Sequence, residues 1–370
     1  MLNLVHFIHG LNMGGAETLV KEYALGIDKT KFNLTVLCLD NLHSPYDTLL
    51  AQHKIPVIYL SDYMPFYGKK TFLARAFNWR QYYYLARKFL RRLRPDILHV
   101  HLPLNHYVKF AALPQTTRIF YTQHFDVSCY PTEYPKDIEA LRELIVRHPT
   151  QLIALNEPMR RELNELFHVT NTVVLNNGIN LARFQQAKPK SQIRRELGIA
   201  QDAFVLGHVG RFAAVKNQTF LIDVAAEISK RNPNTWLLLV GAGEDRARLE
   251  EKLRVCGLKN KALVLSDRSD IPDLLSAMDR FVFPSVSEGM PLALIEAQVA
   301  GLPCIVSQAV PEAAKISNLL TFKSLQQPVA EWADAVLAQA PAPQYTRLEE
   351  WDIAVAIRQL EKLYESSTLF

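Results

Sequence analysis

The sequence predicts an α/β protein made of two doubly wound domains, each built on a parallel β-sheet. Short runs rich in Val, Ile and Leu alternate with helix-length segments, and these runs lack the polar alternation of half-exposed strands. The alternation pauses near residue 178 and resumes near residue 204. A length of 370 residues fits two domains, at about 150 residues per domain.

The first half of the chain is predicted to form one of these domains, which we assign to residues 1–180. The apolar runs that predict its strands lie at 2–9, 32–40, 55–60, 97–102, 118–124, 151–155 and 172–175. Helices are predicted between these runs, at 15–27, 79–93, 138–147 and 158–167. Because strands and helices alternate, the sheet is expected to be parallel and covered by helices on both faces.

The second half repeats the pattern, and we assign residues 181–350 to a second domain. Its strands are predicted at 204–210, 235–240, 262–266, 280–284 and 304–307. Its helices are predicted at 218–230, 245–255, 271–278 and 292–299. Residues 178–198 are predicted to connect the two domains. Prolines at 341 and 343 precede a last predicted helix at 352–365, which lies within a terminal segment 351–370.

Composition excludes several classes of protein. Hydrophobic residues make up 49% of the chain and charged residues 21%, which excludes collagen-like, disulfide-scaffold and wholly disordered proteins. No apolar run approaches the ~20 residues of a membrane span, and residues 1–6 lack the basic start of a secretion signal. Cys38, Cys129, Cys256 and Cys304 form no CxxC pair. A reduced, cytoplasmic protein without structural zinc is the expectation.

Positive charge is concentrated in residues 63–95, a stretch without a single acidic residue. The stretch mixes aromatic side chains with the basic residues Lys69, Lys70, Arg75, Arg80, Arg87, Lys88, Arg91, Arg92 and Arg94. One interpretation is an ordinary helix, whose solvated face carries Arg87, Arg91 and Arg94 and whose core face carries Tyr84, Leu85 and Leu93. The other is a contact with an anionic membrane surface. Nucleic acid fits less well, because no RNA-binding motif accompanies the patch.

Candidate binding residues follow predicted strands, where ligands of doubly wound domains bind. Gly14 and Gly15 open the first helix, and their bare N–H groups suit an anion or simply form a tight turn. His124 ends the fifth strand and can donate to a substrate oxygen, or serve structure alone. In the second domain, Arg211 ends a strand and Lys216 precedes a helix. Two such cations suit a diphosphate, unless both are only solvated.

The most specific motif spans residues 281–297. A strand leads into a Glu288-Gly289 turn, and a helix then opens with Pro291 and carries Glu296. The two carboxylates can accept hydrogen bonds from paired hydroxyls, which sugars and riboses present. The N–H groups of 289–292 add an anion site. The alternative is that both carboxylates only complement the helix dipole.

Taken together in this order, these motifs resemble the retaining glycosyltransferases of family 4. The matching features are the E-x7-E motif from Glu288 to Glu296, the Arg211 and Lys216 pair, the loop 14–17, and 176–179 followed by Phe184. The resemblance covers essentially the whole chain. Within the family, the sequence looks most like bacterial capsular and exopolysaccharide enzymes. This resemblance implies the GT-B fold, in which two Rossmann-like domains face each other across a cleft.

The resemblance also implies a reaction. Family members transfer a hexose or N-acetylhexosamine from a nucleotide sugar, typically UDP-linked in this subgroup, to a lipid-diphosphate-linked oligosaccharide. They need no obligatory metal or cofactor. The N-terminal domain 1–180 would bind the acceptor, the domain 181–350 would bind the nucleotide sugar, and the segment 351–370 would return to the first domain. The enzyme would work at the inner face of the cell membrane, with 63–95 against anionic lipid and no nucleic-acid partner.

Roles for individual residues follow from the same resemblance. Arg211 and Lys216 would hold the diphosphate, Glu296 the ribose, and Glu288 and His124 the donor sugar. Backbone groups would contact the sugar and phosphate at Gly289, Met290, Pro291 and Leu292. The phosphate or acceptor would meet Gly14 and Gly15, and the base would lie near Gly241 and Arg268. The sequence departs from the family at 265–268, where many members carry Phe-x-Gly. Two alternatives remain: a nucleotide-sugar epimerase of this fold, or a non-catalytic partner subunit.

Overall fold

The computed structural model describes residues 1–68 and 72–366, which fall into two units. The first unit is Met1–Gly178 together with the segment that starts at Ile353, and the second unit is Ile179–Asp352. Each unit has its own hydrophobic core and its own parallel sheet. No helix in the described ranges is long and apolar enough to cross a membrane.

The first unit is built on a seven-stranded sheet within the described residues, with the order β3-β2-β1-β4-β5-β6-β7. Its strands are β1 Leu2–Ile8, β2 Phe32–Cys38, β3 Val57–Tyr59, β4 Ile97–His101, β5 Arg118–Thr122, β6 Thr150–Ala154 and β7 Val173–Val174. All of these strands pair in parallel. Strands β4 and β6 are buried along their whole length, as continuous apolar runs predict.

Helices of the first unit connect these strands. They are α1 Gly15–Gly26, α2 Pro45–Gln52, α3 Phe72–Leu93, α4 Asn105–Lys109, α5 Tyr130–Glu133, α6 Pro135–Arg147 and α7 Glu157–Phe167. The sequence did not predict α2, although Ser44 and Asp47 form a capping box at its start. Helix α3 begins seven residues before the predicted start at 79.

The second unit holds a six-stranded parallel sheet, again counted within the described residues, with the order β10-β9-β8-β11-β12-β13. Its strands are β8 Phe204–Val209, β9 Thr235–Val240, β10 Ala262–Leu265, β11 Arg280–Phe283, β12 Cys304–Ser307 and β13 Leu320–Lys323. The edge strand β13 was not predicted. Strand β8 pairs with both β9 and β11, so the order of the strands reverses between β8 and β11. The loops after these two strands therefore flank a topological switch point.

The remaining helices follow in chain order. They are α8 Leu181–Gln185, α9 Lys190–Glu196, α10 Gln218–Arg231, α11 Arg246–Val255, α12 Ile271–Ser276, α13 Leu292–Val299, α14 Val329–Leu337 and α15 Ile353–Glu365. Helix α15 belongs to the first unit and packs against α1. The Glu361 carboxylate accepts a hydrogen bond of 2.7 Å from the Asp28 backbone N–H. A Cβ atom at Gly178 would come within 2.5 Å of the Ile353 Cα, so only glycine permits this close passage.

Residues 63–95 lie mostly on α3, whose exposed face is basic and aromatic. The described cations Arg80, Arg87, Lys88, Arg91, Arg92 and Arg94 are all exposed. None of these six forms an ion pair with another described residue. Lys69 and Lys70 lie outside the described residues. The expectation that Tyr84 faces the core is wrong, because its side chain is 60% exposed, whereas Leu85 is buried. Arg87 and Tyr84 are three residues apart and so share a helix face.

Candidate active site

An ion pair between Lys216 and Glu288 lies at the switch point of the second sheet. The Lys216 ammonium donates to both carboxylate oxygens of Glu288, at 2.6 and 2.9 Å. It also lies 4.9 Å from the centroid of the Phe283 ring, in a cation–π contact. The two side chains are only 19% and 8% exposed. The residue predicted to bind phosphate and the residue predicted to bind the donor sugar therefore pair directly with each other.

The loops that carry this pair are tied together by backbone contacts. Lys216 follows β8 in a short 3-10 turn, and Glu288 follows the neighbouring strand β11. The Val286 N–H donates to the Val215 carbonyl at 2.8 Å, and the Asn217 side-chain amide donates to the Pro284 carbonyl at 3.2 Å. Because β8 and β11 pair directly, their following loops meet at one edge of the sheet.

A buried histidine supports the loop that presents Arg211. The Gln218 side-chain amide donates to the Arg211 carbonyl at 2.8 Å and approaches the His208 Nε2 at 3.3 Å. Since that amide nitrogen is a donor, His208 Nε2 must accept, and His208 Nδ1–H donates to the Val282 carbonyl at 3.0 Å. Burial lowers the pKa of His208 to about 4, so the ring is neutral at neutral pH.

Sequence reasoning missed His208 and Gln218, although a histidine inside an apolar strand run is a usable indication of a special role. The Arg211 side chain itself is exposed. No other described residue forms an ion pair or hydrogen bond with its guanidinium. Arg211 is therefore available to an anionic ligand.

The second carboxylate of the motif, Glu296, lies on α13. It shares a half-exposed face with Ala293, whereas Leu294 and Ile295 are fully buried. Pro291 is the N-cap residue, and its carbonyl accepts the N–H groups of Leu294 at 3.0 Å and Ile295 at 3.3 Å. The four residues from Gly289 to Leu292 are all buried where this helix begins.

The loop after β9 is held against the loop after β8, in the region predicted to meet the base. The Phe212 N–H donates to the Ala242 carbonyl at 2.8 Å, and the Asp245 N–H donates to the Phe212 carbonyl at 3.0 Å. A Cβ atom at Gly241 would overlap the Gly210 carbonyl, and one at Gly243 would overlap the Phe212 carbonyl. Glycine is thus required at both positions, of which the sequence singled out only Gly241.

Arg268, the other candidate for the base region, is engaged by a neighbour. Its guanidinium donates to both carboxylate oxygens of Asp270, one of them at 2.7 Å. This hydrogen bonding raises the pKa of Arg268 and lowers the pKa of Asp270. Nearby, the Ser266 hydroxyl donates to the Gly241 carbonyl at 2.8 Å, which links the loops after β9 and β10. Contact between Arg268 and a nucleotide would compete with its carboxylate partner.

Gly14 and Gly15 lie at the N-terminus of α1 in the first unit. Gly14 is the N-cap residue, and its carbonyl accepts the Thr18 hydroxyl at 2.7 Å. The Glu17 carboxylate folds back so closely that a Cβ atom at Gly14 would overlap it. An anion at this helix end requires the Glu17 carboxylate to move away, because the two negative charges repel.

His124 follows β5 in the first unit and contacts another histidine. Its Nε2 atom lies 3.0 Å from Nδ1 of His101, in hydrogen-bonding distance. Burial lowers the pKa of His124 to about 3. At neutral pH it is therefore a neutral imidazole, which can exchange hydrogen bonds with a substrate but has no extra proton to give.

Three buried histidines near His124 bring nitrogen atoms close enough to consider a metal ion. Ring nitrogens of His6, His99 and His101 lie within 4.8 Å of one another. However, Nδ1 of His6 already contacts Nε2 of His101 at 2.9 Å. The rings of His99 and His101 stack face to face, with centroids 4.1 Å apart and planes 28° apart. Lone pairs of stacked rings run side by side instead of converging on one ion, so this arrangement fits hydrogen bonding better than metal ligation.

Comparisons with known proteins agree with these features. Residues 13–183 match the family described as Glycosyltransferase Family 4, and residues 189–319 match Glycosyl transferases group 1. EpsF of Bacillus subtilis (strain 168), a glycosyltransferase by name, is 30% identical over 350 residues, which cover 92% of this chain and 88% of EpsF. The capsular polysaccharide biosynthesis glycosyltransferase CapH of Staphylococcus aureus is 24% identical over 387 residues, across 100% of both chains.

Two further similarities concern an enzyme with a named reaction and a solved structure. The UDP-Gal:α-D-GlcNAc-diphosphoundecaprenol α-1,3-galactosyltransferase of Escherichia coli is 39% identical over 164 residues, which are 43% of this chain and 42% of that enzyme. The crystal structure of Anabaena HepE in complex with UDP and glucose has a TM-score of 0.77 and 19% identity, and the match covers 99% of this chain and 100% of HepE. At that identity, the likeness to HepE establishes the fold.

The fold and the matched families define a glycosyltransferase of polysaccharide biosynthesis with the GT-B fold. The chain belongs to glycosyltransferase family 4. This confirms the fold class and the enzyme class that the sequence motifs predicted.

Proposed function

We propose that this glycosyltransferase moves a hexose or N-acetylhexosamine from a UDP-sugar to a lipid-diphosphate-linked oligosaccharide, with retention of the anomeric configuration. The observation that carries the proposal is the Lys216–Glu288 pair, in which a cation and a carboxylate meet at the switch point of the second sheet. A diphosphate requires cations, and sugar hydroxyls require acceptors.

The choice of donor and acceptor is supported by relatives. Structures of HepE hold UDP or UDP-glucose. The name of the Escherichia coli relative includes UDP-Gal and a diphosphoundecaprenol-linked sugar. Both facts belong to those proteins, and together they make a uridine donor and a lipid-diphosphate acceptor the first pair to test.

The proposed chemistry requires charge neutralisation more than acid–base catalysis. The acceptor hydroxyl oxygen bonds to the anomeric carbon as the bond from that carbon to the phosphate oxygen breaks, and the hydroxyl proton passes to the departing phosphate. Negative charge grows on the diphosphate during this step. We assign Arg211 and Lys216 to stabilise that charge. No metal ion is given a role.

The carboxylates are assigned to hydroxyl recognition. Glu288 would accept hydrogen bonds from the donor sugar and Glu296 from the ribose. Because Lys216 now donates to both oxygens of Glu288, donor binding must redistribute these hydrogen bonds between the carboxylate and the phosphate. His124 is assigned to the sugar, and Gly241 to the edge of the base.

A membrane-facing role is proposed for the exposed face of α3. Its cations have no ion-pair partner among the described residues, and large aromatic side chains stand beside them. Trp79 is 51% exposed and Tyr84 is 60% exposed. Aromatic rings at headgroup depth and cations near anionic lipid both favour binding to such a surface. A lipid-linked acceptor would then be reached at the membrane where it resides.

The test is a donor panel of UDP-, GDP- and ADP-sugars, measured by thermal shift and by turnover. We expect a UDP-sugar to raise the melting temperature and, with a lipid-diphosphate-linked acceptor, to release UDP and a longer oligosaccharide. An epimerase would convert the UDP-sugar without releasing UDP, and a non-catalytic partner would turn over nothing. An unchanged melting temperature across the whole panel would contradict the assigned donor site.

A further inference from the structure

A row of imidazoles begins at half-buried His124 and continues to the fully buried rings of His101, His6 and His99 in the first unit. Nε2 of His124 lies 3.0 Å from Nδ1 of His101, and Nε2 of His101 lies 2.9 Å from Nδ1 of His6. The ring centroids are 5.3 and 5.1 Å apart, with planes 31° and 13° apart. Each pair therefore meets edge to edge, in the geometry of an N–H···N hydrogen bond.

The row continues to the last helix and returns to the sheet. Nε2 of His6 lies 3.3 Å from the hydroxyl of Tyr364 on α15, and that hydroxyl lies 2.5 Å from Nδ1 of His99. Nε2 of His99 lies 2.7 Å from the hydroxyl of Thr122 on β5. Five consecutive hydrogen bonds thus join His124 to Thr122, and each ring within the row uses both of its nitrogen atoms.

Burial keeps every ring in the row neutral at neutral pH. The pKa values of His6 and His124 are lowered to about 3, and those of His99 and His101 lie well below the usual range. Burial also raises the pKa of Tyr364 far above its usual range, so its hydroxyl stays protonated. Each member therefore contributes one hydrogen atom, and each contact in the row contains one.

The fully buried Tyr364 hydroxyl contacts only His6 and His99 among the described residues, so its hydrogen has an acceptor only within the row. With that hydrogen inside the row, only two arrangements satisfy all five contacts. In one, every hydrogen points from His124 towards Thr122, and all four histidines are Nε2–H tautomers. In the other, every hydrogen points from Thr122 towards His124, and all four are Nδ1–H tautomers. A mixed arrangement would place two hydrogens, or two lone pairs, against each other in a buried contact, which is costly.

The Thr122 hydroxyl distinguishes these two arrangements. Thr122 is 3% exposed, and among the described residues its hydroxyl contacts only His99. In the first arrangement the Thr122 hydrogen has no acceptor. In the second arrangement that hydrogen is donated to His99, and the one N–H left over is Nδ1–H of half-buried His124. Within the described part of the chain, Nδ1 of His124 has no hydrogen-bond partner.

We propose that this row holds His124 as an Nδ1–H hydrogen-bond donor to an oxygen lone pair of the sugar, and that His101, His6 and Tyr364 are its positioning residues. The inference rests on the proposed function for its ligand, a saccharide, but the tautomers follow from the contacts and the burial of the row. His124 then recognises the ligand by donating a hydrogen bond to one of its oxygen atoms, and it does not act as a general acid. Helix α15 supports the site because it supplies Tyr364.

The tautomers are tested directly by NMR of the full chain labelled with ¹⁵N-histidine at pH 7, assigned with single-histidine variants. The two ring nitrogens have different shifts in the two tautomers. We expect His6, His99, His101 and His124 all to be Nδ1–H. Observation of Nε2–H tautomers would overturn the proposal, and so would uptake of one equivalent of Zn²⁺ by these rings. Neither readout depends on glycosyl transfer.

The positioning role is tested with Tyr364→Phe, and Tyr23→Phe serves as a matched control. Tyr23 is also buried beside His6, with ring centroids 6.1 Å apart, but its hydroxyl is outside the row. We expect Tyr364→Phe to mix the tautomers of the row and to lower kcat/KM about tenfold, an effect of the size of one hydrogen bond. We expect Tyr23→Phe to change neither quantity. If the Tyr364→Phe and Tyr23→Phe variants had the same tautomers and the same kcat/KM, the positioning role of Tyr364 would be overturned.

A second pair of variants separates donation from packing at His101. The amide N–H of His101→Asn can replace the Nδ1–H that faces His124, whereas His101→Leu keeps volume but offers no donor. We expect the Asn variant to retain most of the wild-type kcat/KM and the Leu variant to lose about tenfold or more. Equal losses would overturn the donor role. If the wild-type chain transferred no sugar, the proposed function would fail while the NMR result would still decide the tautomers.

Discussion

The ammonium of Lys216 donates to both carboxylate oxygens of Glu288, at 2.6 and 2.9 Å, and this pair links the loops that follow strands β8 and β11. The contact unites two residues that motif reasoning assigned to different parts of the donor. In this contact only 8% of the Glu288 side chain is exposed. Removal of either partner would leave the other charge poorly solvated.

The Lys216–Glu288 pair is therefore expected to matter for both activity and folding. Lys216→Met should lower kcat/KM by about 10²–10³-fold, the scale for loss of one charge-stabilising group. It should also lower the free energy of unfolding by about 1–3 kcal/mol, because Glu288 loses its partner. The double variant Lys216→Met/Glu288→Gln should lose less stability than the sum of the single losses, because no unpaired charge remains. Denaturant unfolding and initial-rate kinetics measure both effects.

A matched control exists in the same unit. Lys252 pairs with Asp223 at 2.6 Å, but these side chains are 33% and 39% exposed. Lys252→Met should change the unfolding free energy by no more than about 1 kcal/mol and leave kcat/KM unchanged. Additive losses at Lys216 and Glu288, or an equal effect at Lys252, would contradict the role given to the buried pair.

Glu296 is expected to act on nucleotide affinity more than on folding. Glu296→Ala should leave the melting temperature of the free protein nearly unchanged, because the residue lies on a half-exposed face of α13. It should weaken UDP binding about 10–100-fold, since a hydrogen bond to a charged acceptor contributes about 1.5–3 kcal/mol. Calorimetric titration with UDP measures the change. The control is Glu251→Ala on exposed α11, and comparable weakening there would refute a specific ribose contact.

The exposed face of α3 is expected to bind anionic vesicles. Replacement of Arg80, Arg87, Lys88 and Arg91 by serine should weaken sedimentation with phosphatidylserine-containing vesicles by ~10²-fold or more, at about 1 kcal/mol per basic residue. The control variant removes equal charge from exposed positions of the second unit, at Arg195, Lys259, Lys315 and Arg347. Equal binding by the two variants, or no binding by the wild-type chain, would restore the interpretation of an ordinary solvated face.

Acid should destabilise the fold well above the pKa values of its carboxylates. Burial lowers the pKa of His6 and His124 to about 3 and of His208 to about 4, whereas histidine in the unfolded chain titrates near 6.5. Below pH 6.5 the unfolded chain therefore binds protons that the folded chain does not. The contribution of these histidines to the free energy of unfolding is fully present above pH 6.5. It falls as the pH drops towards 3–4, by about 1.4 kcal/mol per pH unit for each such histidine.

Denaturant unfolding between pH 7.5 and 5 measures this slope. His208→Gln keeps a polar side chain in the second unit and should reduce the slope by about one proton, since a glutamine does not titrate. His168→Gln is the control for loss of a histidine outside the buried sites, because His168 is exposed on the C-terminal side of α7. A stability that rises as the pH falls from 6.5 would contradict the neutral buried histidines.

Periodicity predicted most of the strands because the strands of a parallel sheet are buried on both faces, which leaves continuous apolar runs in the sequence. It missed the short edge strand β13 and helix α2, whose apolar faces are brief. It also misjudged Tyr84, because an aromatic residue on an amphipathic helix looks like a core residue until the neighbouring elements are in place.

The sequence by itself determined the alternation of strands and helices, the carboxylate motif from Glu288 to Glu296, and the family. These are local properties, written in spacing and residue type. Only the tertiary structure decided that Lys216 pairs with Glu288, and that His124 connects through His101 and His6 to a helix that starts more than two hundred residues later. Such contacts depend on the order of strands in a sheet, which juxtaposes residues that no local pattern relates.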